Sequence, residues 1–159
     1  MNWFKKKKKL DTVQFWKNKV DYLFSEKFDE YIKRLYLIES NLLNTVSITH
    51  FKNELIAAYI ELLGVSLTKN ISNRDKLYEV LFLRDTYIKS KDANFDTSVI
   101  EKYNREFGSS FTDGVRPMAR YFSEKVQSGN KKQLEHFVYE LFYATLEVTF
   151  MDIKNLNLI

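Results

Sequence analysis

The stretch KKQLEHFVYELFYATLEVTFMDIK, residues 131–154, decides the fold class. Spaced about 100° apart, as on a helix, Phe137, Val138, Leu141, Phe142, Leu146, Val148, Phe150 and Met151 cover most of the circumference. The stretch contains neither glycine nor proline. A helix apolar on every side is normally enclosed by others, so this one is expected to be buried at the centre of an all-α bundle. At the surface, the same excess would mark a partner interface or a homodimer seam. In that case Phe142, Phe150 and Met151 are the expected anchors.

Helical spacing continues upstream. The chain has only four glycines and one proline to break it, and no long run of alternation to suit strands. A long first helix is expected from Asp11, its N-cap, to about Asn44. Its seam runs through Val13, Trp16, Val20 and Leu23, then shifts phase to Phe24, Phe28, Tyr31, Leu35, Ile38 and Leu42. At 1.5 Å per residue it would be roughly 50 Å long, so a kink or a protruding end is expected. Asp29 with Lys33, and Glu30 with Arg34, are spaced as i,i+4 pairs.

Further helices are expected over about 49–67, 72–91, 97–107 and 117–129. Ser72 and Asp75 form a capping box for the second of these, and Pro117 fits the first turn of the last. The glycine-rich segment Gly108 to Gly114 reads as a loop and lacks the phosphate-binding pattern. The expected architecture is therefore one all-α domain over 11–159, a single-domain helical bundle of five or six helices with a long N-terminal helix. That helix and the last one form its centre.

Composition bounds the function. The 159 residues carry a net charge of +4, but residues 1–10 hold five lysines and no acid, leaving 20 basic against 21 acidic residues beyond them. The domain is neutral, and the charge belongs to a basic tail expected to be disordered. Trp3, Phe4, Lys5, Lys6, Lys7, Lys8 and Lys9 are the candidate contacts with an anionic membrane surface or another anion. Nucleic acid is the less favoured partner of this tail, since the domain is neutral and carries no reading motif. With no cysteine, no apolar leader behind the lysines and no span-length apolar run, the expected location is cytoplasmic, with the inner face of the membrane as an alternative.

Aromatic residues make up 16% of the chain, and the polar ends of tyrosine and tryptophan favour interfaces and clefts. Arg116 and Arg120 share a helix face and are candidates for contact with an acidic partner or phosphate.

One internal resemblance carries possible chemistry. His50-Phe51-Lys52-Asn53-Glu54-Leu55 precedes Ala58 and Glu61, and His136-Phe137-Val138-Tyr139-Glu140-Leu141 precedes Ala144 and Glu147. Each set places His, Glu and Glu on one helical stripe within about 40°. Two facing stripes would supply the imidazoles and carboxylates of a di-metal bundle, so His50, Glu54, Glu61, His136, Glu140 and Glu147 are the candidate metal ligands. Such bundles use Glu-x-x-His, which is absent here, and the stripe at 50–61 lies opposite its helix's apolar face, where solvent exposure is expected. No cofactor is therefore expected. The favoured reading is a non-enzymatic module that binds another protein or itself; a metal-dependent helical enzyme is the alternative.

Overall fold

A computed structural model of the chain describes residues 10–110, 112–156 and 158. Its described residues form eight helices and no strand, so the fold is all-α. The helices are α1 (Thr12–Leu23), α2 (Glu26–Ile38), α3 (Ser40–Leu43), α4 (Ile48–Asn70), α5 (Arg74–Lys91), α6 (Ser98–Gly108), α7 (Val115–Val126) and α8 (Lys131–Leu156).

The expected long first helix does not form; α1, α2 and α3 replace it, which raises the helix count above five or six. The first break falls where the apolar seam shifts phase. Asp11 caps α1 as expected, accepting from the amides of Val13 and Gln14. Phe24 ends that helix, and the extended Ser25 starts α2 by accepting from the Phe28 amide and donating its hydroxyl to the Tyr22 carbonyl. Serine bonding to nearby backbone in this way competes with helix continuation. Asp29 does not rely on Lys33; it forms an ion pair with Lys52 on α4. The cap of α5 is Asn73, which accepts from the Lys76 amide, rather than Ser72.

The central helix is α4, not the first or the last. It packs against α8, α6, α7, α1 and α2. Phe51, Leu55, Ile56, Ala57, Ala58, Ile60, Leu62, Leu63 and Leu67 are all buried, on every side of the cylinder. The last helix buries one face only, through Leu134, Val138, Phe142, Leu146, Thr149 and Ile153, while Tyr143, Val148 and Met151 lie exposed.

Aromatic rings account for much of the core. Edge-to-face contacts run from Tyr36 to Phe51 (5.4 Å), Phe122 (5.3 Å), Phe142 (5.6 Å) and Tyr59 (6.2 Å), joining α2, α4, α7 and α8. Edge-to-face pairing adds to the area these rings bury. By contrast, α5 leans on α1: Lys76 reaches Asp11 (2.7 Å), Tyr87 donates to Asp21 (2.7 Å), and Lys91 pairs with the same carboxylate (2.8 Å). These links hold α5 beside the bundle and leave its outer face bare.

Gly114 precedes α7 at a tight crossing with α6. A methyl group there would lie 2.6 Å from the Phe107 carbonyl oxygen and 2.7 Å from its ring. Gly114→Ala is expected to cost roughly 1–3 kcal/mol through overpacking, read as a lower urea midpoint with unchanged slope. A midpoint equal to wild type would mean the crossing is looser than the structure shows. At the other end of α7, Gln127 takes the left-handed conformation (φ 57°), two residues before the expected stop at Gly129.

Candidate functional site

The two histidine–glutamate stripes have different environments. On α4, His50 is exposed, and its Nε2 lies 2.8 Å from the Lys125 carbonyl oxygen of α7. Only the nitrogen can donate in that contact. Glu54 and Glu61 are each only 7% exposed and face α6, so the exposure expected of this stripe holds for His50 and not for the two glutamates. Glu54 accepts from the Tyr103 hydroxyl (2.6 Å), and Glu61 accepts from the Asn104 side-chain amide (2.8 Å). On α8, His136, Glu140 and Glu147 are all exposed. Although α4 and α8 pack together, the six residues do not converge. Among the described residues no group of three or more such side chains is arranged to hold a metal ion.

The other candidates are also placed. Arg116 and Arg120 are exposed but engaged: Arg116 lies 4.5 Å from the centroid of the Tyr139 ring and 3.7 Å from Asp113, and Arg120 is 3.6 Å from Glu135. Phe142 is core, Phe150 half-buried, and Met151 62% exposed. Residues 3–9, with Trp3, Phe4 and the lysines, lie outside the described residues.

Two concavities were not foreseen. The first is a groove of about 330 Å³ between the α1–α2 corner, α4 and α8, walled by Tyr22, Phe28, Tyr31, Tyr59, Leu141 and Val148. Burial pushes the Tyr59 hydroxyl far above its ordinary range. The second is a cleft of about 460 Å³ between α4, α5 and α6, and it carries ionisable chemistry. Glu61 sits in its wall. Arg84 reaches across from α5, donating through Nε to Asp85 (2.8 Å) and through a terminal nitrogen to Glu101 on α6 (2.5 Å). Val65, Leu81 and Phe107 supply apolar wall.

Burial raises the Glu61 carboxyl to about 7; the Asn104 hydrogen bond and the Arg84 charge oppose the shift, and the Glu101 charge adds to it. A carboxyl in a cleft that titrates near neutrality marks a candidate functional position. Arg84 keeps its charge, raised further by its two carboxylates against the cost of burial.

The mouth of this cleft adjoins the outer face of α5. Tyr78, Leu81 and Phe82, at i, i+3 and i+4, point outward, and Phe82 is 92% exposed. A sequence signal for the cleft existed. Residues 55–67, LIAAYIELLGVSL, carry one charge in thirteen, which is the composition of an enclosed helix with its glutamate inside. No known family, curated protein or solved structure matches the chain.

Proposed function

We propose that this chain is a non-enzymatic protein-interaction module whose docking face is the outer side of α5. The observation that carries the reading is Phe82, almost fully exposed beside Leu81 and Tyr78 on a helix otherwise held against α1. Large apolar side chains grouped at i, i+3 and i+4 are the pattern by which one helix engages another protein. Contiguous exposed apolar surface is a mark of such sites, whereas single exposed residues are ordinary. Membership of an adaptor, regulator, secretion-accessory or immunity-type class fits this reading.

A photo-crosslinking residue in place of Phe82, compared with one at the exposed Glu124 of α7, tests it in the cells that make the protein. The expected result is a discrete adduct at position 82 alone, with light scattering deciding whether the adduct is a second copy. Phe82→Ser should leave folding stability within about 0.5 kcal/mol, as for surface positions, while partner binding is lost. Equal adducts at both positions, or a Phe82→Ser variant that unfolds easily, would show that this face is not a docking site.

A further inference from the structure

We propose that the cleft between α4, α5 and α6 receives one lysine or arginine side chain of the docking partner, which pairs with Glu61. The inference rests on the reading of α5 as the docking face and names what the partner must carry. Glu61 is a buried carboxylate with no ion pair among the described residues. The cation across the cleft, Arg84, is already held by Asp85 and Glu101. Lys69, the other cation of the wall, lies 5.6 Å from the centroid of the Phe107 ring. Asn104 gives Glu61 a hydrogen bond but no compensating charge, and a ligand's cation can supply one.

The shape fits that occupant. Apolar walls beside Glu61 suit the methylene stem of a long basic side chain with its charge at the far end. Leu81 belongs both to the cleft wall and to the exposed strip, so a helix lying on Tyr78, Leu81 and Phe82 passes over the mouth. The local charge has the right sign. The cleft's charged lining residues, together with Asp85, which Arg84 holds, are Glu61, Asp85 and Glu101 against Lys69 and Arg84.

The groups facing Glu61 are Arg84 from α5, and Asn104 and Glu101 from α6; Glu54, on its own helix, is occupied by Tyr103. An empty cleft leaves Glu61 partly protonated near neutral pH. A cation beside it favours the carboxylate, so binding releases a proton and tightens as pH rises.

The test uses the full chain and two amphipathic helical peptides with leucines on one face. One carries a single central arginine, the other citrulline, its neutral isostere, at that position. Fluorescence anisotropy is read at pH 6 and pH 8. The arginine peptide is expected to bind about tenfold more tightly than the citrulline peptide at pH 8, with a smaller ratio at pH 6. Glu61→Gln, which keeps an oxygen for Asn104, should abolish both the preference and its pH dependence. Phe82→Ser should weaken the two peptides alike.

Equal affinities in the wild type would overturn the cation site and leave the docking face standing. Absence of binding by either peptide up to about 1 mM would overturn the site as well, while the adduct at Phe82 still decides the docking face separately. An arginine preference seen only after removal of residues 1–9 would assign the site to the chain's own lysines. A dimer dispersed by Glu61→Gln would assign it to a second copy. Either result overturns the partner assignment.

Discussion

Glu61→Gln is expected to stabilise the domain at pH 8 by about 3 kcal/mol, the equivalent of moving a carboxyl from 4.5 to about 7. The unfolded chain releases this proton near pH 4.5, whereas the folded chain holds it until about 7. The stability that the raised value contributes is therefore complete below pH 4.5 and lost as pH rises through 7. Glutamine is neutral throughout and still accepts from Asn104. Wild type and variant should match at pH 4 and separate at pH 8, by roughly 6–12 °C in Tm. Thermal denaturation at the two pH values measures the gap. Identical Tm at pH 8 would mean that water reaches this carboxylate freely.

Phe142→Ala should remove about 3–5 kcal/mol, the usual cost of emptying a large ring from a core. Phe142 is fully buried and meets Phe122 at 5.6 Å and Tyr59 at 6.2 Å, so its loss opens the α4–α7–α8 junction at one point. Domains are stable by only about 5–15 kcal/mol, so the variant keeps a fraction of its stability or unfolds at room temperature. Urea titration gives the value. Met151→Ala, on the exposed side of the same helix, should change stability by less than about 0.5 kcal/mol and serves as the comparison. Similar effects from the two substitutions would contradict the one-sided burial of α8.

The pair also separates the two readings of Phe142. An interface anchor would leave the monomer's stability almost intact and cost affinity only. A core ring costs stability whether or not a partner is present.

Local features were legible. Asp11 caps α1 because its carboxylate reaches amides two and three residues on, a contact decided within one turn. The phase shift after Leu23 was visible, but the helix was expected to run through it, whereas the extent of α8 followed from its uninterrupted helical spacing. The all-α class itself follows from period, since periodicity is a property of neighbouring residues. Which face of each helix is dry is not such a property. His-Phe-x-x-Glu-Leu occurs on α4 and α8, yet its glutamates are buried in one and wet in the other. The difference is α6, whose Tyr103 and Asn104 cover and satisfy the carboxylates of α4, while among the described residues nothing comparable covers those of α8. A residue's spacing along a helix sets its direction, but only the neighbour it meets, brought close by distant parts of the chain, decides whether it loses water and shifts its proton affinity.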